Sequence, residues 1–182
     1  EVDWVSYSIE SILDFVDVLL IGDGYQGPFW DFWGNRSKDG TWELIQKYKN
    51  HPKVHIMKNH SNILLSIGKA RCHHKALKLF RKLGIQEGDW YFLCDSDEFY
   101  SDKQKSYIKK YLKKTQADLI KVKDNMFVYN FEYYLEACHG RFYRYIDGMS
   151  FKNYGQYPVY PDGSRFADKK EQVETILQDE PM

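Results

Sequence analysis

The sequence predicts an α/β fold in which a central, mostly parallel sheet is flanked by helices. Three short apolar runs, each typical of a buried strand, lie at residues 16–21, 54–57 and 90–94. Amphipathic helical patterns separate these runs. Strands that alternate with helices usually pair in parallel, because each helix returns the chain across the sheet. With 182 residues, of which 43% are hydrophobic, the chain can form one core.

The first predicted elements are a helix and a strand. Asp3 can cap a helix whose apolar side includes Trp4 and Ile9. Residues 16–21 then form a strand that a Gly-Asp-Gly turn interrupts. The chain does not begin with Met and enters this first helix at once, so we expect a further strand upstream of Asp3.

The next predicted elements continue the alternation of helix and strand. They are a helix over residues 41–49, a strand over 54–57, a helix over 67–83 and a strand over 90–94. Gly84 ends the second of these helices, because glycine is favoured just beyond a helix end. A basic amphipathic helix over 102–114 follows, and we expect its lysines to be solvated.

The pattern changes after residue 125. Aromatic, strand-like pieces at 126–134 and 141–146 are followed by turns, which predicts an antiparallel or irregular extension. We therefore expect one domain over residues 1–182, truncated at both ends. Residues 1–123 form its alternating α/β half, and residues 124–182 form its extension.

Charge and cysteine usage limit the partners and the compartment. Lys plus Arg and Asp plus Glu both total 26, so the net charge is zero and nothing favours nucleic acid as a partner. The three cysteines show no CxxC spacing, which indicates reduced thiols and a cytoplasmic protein, including the cytoplasmic face of a membrane. No apolar stretch approaches the ~20 residues of a membrane span.

The most informative feature is an acidic turn directly after the apolar run at 90–94. Asp95 and Asp97 are spaced carboxylates at the carboxyl end of a predicted strand, where an open α/β sheet binds its ligands. Oxygen ligands of this kind suit Mg²⁺ or Mn²⁺ with a substrate phosphate. Glu98 adds a third acid, and these charges repel unless a cation or a base neutralises them. The alternative is an ordinary turn.

Several landmarks, taken in order, resemble the GT-A-type nucleotide-sugar glycosyltransferases, particularly the family 2 class. Residues 10–13, Glu-Ser-Ile-Leu, resemble the family's first helix, and residues 21–24, Ile-Gly-Asp-Gly, resemble its acidic turn. Residues 68–71, Gly-Lys-Ala-Arg, resemble a helix start with an Ala-Arg pair. Residues 95–97 are similar to the family's Asp-x-Asp motif. The resemblance covers about residues 1–123 and implies a Rossmann-like GT-A fold. It also implies that residues 1–123 are the nucleotide-sugar-binding half and residues 124–182 the acceptor-side half.

The resemblance also implies an activity and roles for site residues. The chain would be a metal-dependent glycosyltransferase that moves a sugar from a nucleotide-diphosphate donor to a hydroxyl of a glycan, lipid or protein acceptor. Asp97 would be the main ligand of Mn²⁺ or Mg²⁺, and Asp95 would face the metal and the donor sugar. Asp23 would bind the nucleoside, while Lys69 and Arg71 would lie near the diphosphate. Both basic residues can equally be exposed charges at a helix start.

The catalytic base is not evident from the sequence. Inverting members of the family use a carboxylate to take the proton of the acceptor hydroxyl. We consider Asp147 and Glu136 for this role, although both residue types are common in turns and on surfaces. His139 is the last histidine in the chain, and it does not match the family's C-terminal metal ligand.

An aromatic segment at residues 29–33, Phe-Trp-Asp-Phe-Trp, follows Asp23. It can form a lid that stacks on a ring over the site. Alternatively it is a hydrophobic plug beneath the loop, because large exposed apolar patches are uncommon in monomers.

Three other functions fit parts of the pattern. A phosphotransferase of the haloacid dehalogenase type also uses strand-Asp-x-Asp, but it needs Thr or Val where Phe99 stands. A metal-dependent nucleotidyltransferase can use the same site, although the chain lacks a Gly-rich phosphate loop. A non-catalytic sugar-binding module would use the aromatic residues and would not need both Asp95 and Asp97.

Overall fold

The structure is a computed structural model that describes residues 2–24, 36–58, 65–128, 130–152 and 157–176. Side chains 58, 65–71, 124–128 and 130–134 are not described. The aromatic segment at 29–33 lies outside the described residues. The helices are α1 (Val5–Leu13), α2 (Thr41–Gln46), α3 (Leu65–Lys82) and α4 (Asp102–Leu112). The strands are β1 (Leu19–Asp23), β2 (Val54–Lys58), β3 (Trp90–Phe92), β4 (Leu119–Val128), β5 (Asn130–Arg144), β6 (Ser150–Phe151), β7 (Pro158–Val159) and β8 (Val173–Ile176).

The first sheet is a parallel pair. β1 and β2 pair in register from Leu19 opposite Val54 to Asp23 opposite Lys58. The strand predicted at 16–21 is therefore real but begins and ends later. Helices α1 and α2 cover one face of this pair, where Val5, Ile9 and Ile45 form a buried cluster against the strands. The strand residues that pack against this cluster are the partly buried Leu19, Ile21 and Ile56.

The second sheet has four strands in the order β3-β5-β4-β8. β5 runs antiparallel to both β3 and β4, whereas β8 is parallel to β4. The prediction of a mixed α/β protein is confirmed. The described residues do not form the single, mostly parallel sheet that the sequence predicts. Instead, β5 of the long β4–β5 pair is an antiparallel partner of β3. The predicted antiparallel pieces at 126–134 and 141–146 fall largely within this pair.

Layers of side chains cover both faces of the four-stranded sheet. On one face, Ile12 of α1 and Ile108 of α4 pack against Ile120 and Phe142. On the other face, Leu77 of α3 belongs to a cluster with strand residues and C-terminal aromatic residues. Its other buried members are Tyr91, Leu119, Tyr143, Tyr145, Met149, Phe151, Tyr160 and Phe166. Alternate residues of the strands thus point into separate cores, as the period of a strand requires.

Helix α1 packs against both sheets, so the direction of β1 and of β3 can be compared along it. Near its C-terminal end, the Lys53 ammonium, just before β2, donates to the Leu13 carbonyl at 3.1 Å, and the Phe15 ring contacts Phe92 of β3. Near its N-terminal end, the Ser8 hydroxyl donates to the carbonyl of Asp95, just beyond β3, at 3.3 Å. At the other end of β1, Asp23 bonds Ser37, and Gly40 nearby lies beside Val2, which precedes α1. β1, its parallel partner β2 and β3 therefore all run antiparallel to α1. Their carboxyl ends lie toward the same end of the molecule.

Helix ends are set by local sequence in most places. Gly84 lies just beyond α3 with a φ of +89°, as predicted. Ser101 caps α4 in a capping box with Gln104, so this helix begins where the pattern indicated. The expected cap at Asp3 is wrong: α1 begins after Trp4 without a side-chain cap. Within the described ranges, no helix is long and apolar enough to cross a membrane.

Candidate functional site

The acidic turn lies at the carboxyl end of β3, and α1 fixes its backbone. Asp95 and Asp97 are both exposed. Besides the Ser8 bond to the Asp95 carbonyl, the Ser11 hydroxyl oxygen accepts the Tyr100 N–H at 3.3 Å. Two serines one helical turn apart therefore anchor the two ends of the turn, while its carboxylates face outward.

Arg141 supplies a positive charge that offsets the repulsion among the crowded acids of the turn. Its side chain is only 10% exposed, and its guanidinium pairs with Glu98 and, at 3.2 Å, with an oxygen of Asp95. The backbone completes the arrangement, because the Leu93 N–H donates to the Arg141 carbonyl at 2.8 Å. Opposite charges at this distance offset the repulsion among the acids. Arg141 therefore belongs to the site, although the sequence analysis treated it only as the start of a strand-like piece.

An irregularity in β5 places Arg141 at this position. The register with β4 shifts between Phe142, opposite Ile120, and Gly140, opposite Lys121, so Arg141 is the extra residue of a β-bulge. Gly140 is required there, because a Cβ would lie 2.5 Å from the Tyr143 hydroxyl oxygen. Bulges re-aim a side chain. A Gly-Arg pair inside an aromatic, strand-like piece is a local sign of a bulge, but it does not show which acids the arginine faces.

The donor set fits only one kind of metal site. Among the described residues, no group of three or more His, Cys, Asp and Glu side chains is arranged to hold a metal ion. Asp95 and Asp97 alone provide oxygen ligands, which suits Mg²⁺ or Mn²⁺ that keeps waters and binds substrate phosphates. Burial raises the pKa of the neighbouring Cys94 thiol to about 12. The side chains that the structure describes therefore do not form a structural, fully protein-bound metal site.

Asp23 ends β1 at the same end of the molecule as the acidic turn. It is 6% exposed, and its carboxylate accepts the Ser37 N–H at 3.0 Å and the Ser37 hydroxyl at 2.5 Å. These bonds compensate the burial of the charge. The sequence analysis did not include Ser37 in the site. A carboxylate has about four lone-pair positions, so Asp23 can still accept bonds from a ligand.

The other predicted site residues fall in different places. Lys69 and Arg71 lie within α3, but their side chains are outside the described part of the chain. Glu136 is exposed on β5, on the stretch that extends past the carboxyl end of β3, because Phe142 pairs with Phe92 and the strands are antiparallel. Asp147 follows the other end of β5, where Arg144 pairs with Trp90. The structure thus brings Glu136, and not Asp147, to the end that carries Asp95.

Exposed aromatic rings flank the acids. Phe99, two residues beyond Asp97, packs edge-on against Trp4 with ring centroids 6.0 Å apart. Both rings, and that of Tyr7 on α1, remain more than two-fifths exposed. Aromatic faces beside carboxylates suit a ring that carries hydroxyl groups, because the face stacks while the acids accept hydrogen bonds.

No protein-family model, curated protein or solved structure matches this chain. Any function assigned to it therefore rests on the side chains described above and on the family resemblance of its landmarks.

Proposed function

We propose that the protein is a metal-dependent glycosyltransferase that moves a sugar from a nucleotide-diphosphate donor to an acceptor hydroxyl. One observation carries the proposal: the exposed carboxylates of Asp95 and Asp97 lie at the carboxyl end of β3, at the same end of the molecule as Asp23 at the end of β1. In open α/β sheets, nucleotides bind at the carboxyl ends of the strands. The GT-A-type fold and the donor sugar belong to the proposal as well.

The chemistry assigns separate tasks to these acids. Asp97, with Asp95, would hold Mn²⁺ or Mg²⁺ at this site. The cation would supply Lewis-acid stabilisation of the negative charge that develops on the diphosphate as the bond to the sugar breaks. Asp23 accepts hydrogen bonds from the nucleoside. As the family resemblance implies, Lys69 and Arg71 would contribute positive charge near the diphosphate.

The acceptor hydroxyl must lose a proton, and Glu136 is the better-placed carboxylate for this role. It shares the end of the sheet with Asp95, whereas Asp147 lies toward the amino end of β3. If Glu136 is the base, Glu136→Gln lowers kcat roughly 10²- to 10⁴-fold, the usual contribution of general base catalysis. Asp147→Asn is the matched control and leaves kcat unchanged. The reverse result would assign the base to Asp147.

The three free cysteines support a reducing compartment. We therefore propose a cytoplasmic location, including the cytoplasmic face of a membrane. The acceptor can be a glycan, a lipid or a protein.

The direct test is release of nucleoside diphosphate from a panel of nucleotide sugars in the presence of Mn²⁺. The parent should release it, and Asp97→Asn should not, because the remaining carboxylate cannot hold the cation against the diphosphate. Asp102→Asn, which removes an exposed acid at the start of α4, is the matched control and should retain activity. Release of pyrophosphate from a nucleoside triphosphate would instead identify a nucleotidyltransferase. Metal-independent sugar binding without turnover would identify a binding module.

A further inference from the structure

The ion pairs of Arg141 are unequal. Its partner Glu98 is 15% exposed, whereas its partner Asp95 is 71% exposed. A pair between two largely buried groups is held strongly, because separating them leaves an uncompensated buried charge. A pair with an exposed carboxylate contributes little, because water and salt compete with it. Arg141 is thus tethered to Glu98 and pairs exchangeably with Asp95.

We propose that Arg141 is a positioning residue that competes with the divalent cation for Asp95, and that Glu98 restrains it. This inference rests on the proposed metal-dependent function. Without a cation, the guanidinium takes the place of the missing positive charge beside Asp95. When the cation binds, Asp95 exchanges one positive partner for another, while Glu98 retains Arg141. The site therefore keeps its acids in place without a preformed set of three metal ligands.

The backbone supports this role. Because Arg141 is the extra residue of the bulge, its side chain is aimed independently of the regular alternation along β5. The hydrogen bond from Leu93 to the Arg141 carbonyl joins the bulge to the strand that leads into Asp95. Arg141 and Asp95 are therefore positioned by the same two strands.

If Arg141 competes with the cation, removing the charge of Arg141 and removing that of Glu98 should change Mn²⁺ affinity in opposite directions. Removing the charge of Arg141 frees Asp95, so Mn²⁺ should bind more tightly. Removing the charge of Glu98 releases Arg141 to pair with Asp95, so Mn²⁺ should bind more weakly. An exposed pair of this type contributes up to ~1 kcal/mol, so each change should be about three- to fivefold. A residue that only supports the fold would weaken binding in both variants.

The experiment is a titration of the protein with Mn²⁺ alone, followed by electron paramagnetic resonance of the free ion. Arg141→Gln should lower the dissociation constant, Glu98→Gln should raise it, and Arg141→Lys should stay close to the parent. Arg144 and Asp118 form a matched pair elsewhere on the same sheet, 3.4 Å apart. Arg144→Gln and Asp118→Asn therefore measure the effect of the same charge changes at a distance, and both should leave Mn²⁺ affinity nearly unchanged.

Arg141→Gln can unfold the protein by leaving Glu98 buried and unpaired. The double variant Arg141→Gln with Glu98→Gln removes both charges and should still bind Mn²⁺ at least as tightly as Glu98→Gln alone. If either variant lacking Arg141 bound Mn²⁺ more weakly than its comparison protein, the competition would be wrong while the metal site stood. If the parent bound no Mn²⁺, or bound it equally after Asp97→Asn, the proposed function and this inference would both fail.

Discussion

At the scale of single residues, the sequence predicts the need for a partner but not which residue it is. The acidic turn with Asp95, Asp97 and Glu98 is an example. Their crowding predicted a neutralising cation or base, and the structure contains a base at Arg141. The sequence could not identify that base, because its position depends on β5 lying beside β3. Asp23 is a similar case: its place after an apolar run was evident, but its bonds to Ser37 depend on a distant loop.

We expect Asp23 to bind the nucleoside. A carboxylate that accepts one or two hydrogen bonds contributes about 1.5 to 3 kcal/mol, so Asp23→Ala should raise the nucleotide dissociation constant roughly tenfold to a hundredfold. Mn²⁺ affinity should not change. Calorimetric titrations with Mn²⁺ alone, and with nucleoside diphosphate in its presence, measure the two quantities separately.

Ser37→Ala is the matched control for Asp23→Ala. It removes the hydroxyl bond to the same carboxylate but leaves the Asp23 charge in place. Nucleotide binding should therefore stay within a few-fold of the parent. Loss of Mn²⁺ binding in Asp23→Ala, or equal nucleotide affinity in Asp23→Ala and the parent, would show that Asp23 does not bind the nucleoside.

At the scale of elements, the existence of strands and helices and the parallel pairing of β1 with β2 were predictable, whereas the antiparallel pairing of β3 was not. Short apolar runs identified β1, β2 and β3, and local signals such as Gly84 and Ser101 set helix ends. The antiparallel contact of β3 with β5 depends on tertiary packing, which periodicity does not encode. The bulge that aims Arg141 was missed for the same reason.

The bulge gives a prediction for Gly140. A Cβ there would lie 2.5 Å from the Tyr143 hydroxyl oxygen and 3.1 Å from a Leu119 methyl carbon. Both neighbours are 2% exposed and have no room to withdraw. Gly140→Ala should therefore lower the free energy of unfolding by about 1–3 kcal/mol, the usual cost of overpacking. Urea denaturation measures this change.

Tyr143→Phe tests whether the clash is the cause. It removes the hydroxyl that a Cβ at Gly140 would strike, so the double variant should be more stable than the sum of the two single changes predicts. Additive losses of stability would mean that Gly140 is needed for another reason.

At the scale of the whole molecule, Glu174 connects β8 to the rest of the domain. Its carboxylate accepts the Thr115 hydroxyl at 2.6 Å and also the Tyr111 hydroxyl at the end of α4. These two hydrogen bonds hold the pKa of Glu174 below its ordinary value. The bonds thus join α4, the segment before β4 and β8 around one ionised group.

This lowered pKa predicts a component of acid sensitivity. A carboxyl group whose pKa is lower in the folded state stabilises the fold fully above its unfolded pKa, and the contribution is lost as the pH falls through the folded pKa. The melting temperature should therefore fall less steeply below about pH 4.5 in Glu174→Gln than in the parent, since the unfolded pKa of Glu is about 4.3.

Circular dichroism melts across this pH range measure the difference. Tyr111→Phe, which removes one of the two donors, should give an intermediate slope. If the melting temperatures of the parent and of Glu174→Gln fell equally steeply as the pH is lowered, this carboxylate would not have the role described.

We propose that one end of the protein binds a nucleoside diphosphate together with a divalent cation. The most direct measurement is a thermal-shift screen of nucleoside diphosphates with and without Mn²⁺, in the parent and in Asp97→Asn. A ligand at 100 times its dissociation constant adds about 2.7 kcal/mol to stability, which raises the melting temperature by several degrees. We expect at least one nucleoside diphosphate to stabilise the parent only with Mn²⁺, and Asp97→Asn to lose this shift. Stabilisation that is equal without Mn²⁺, or that persists in Asp97→Asn, would contradict it.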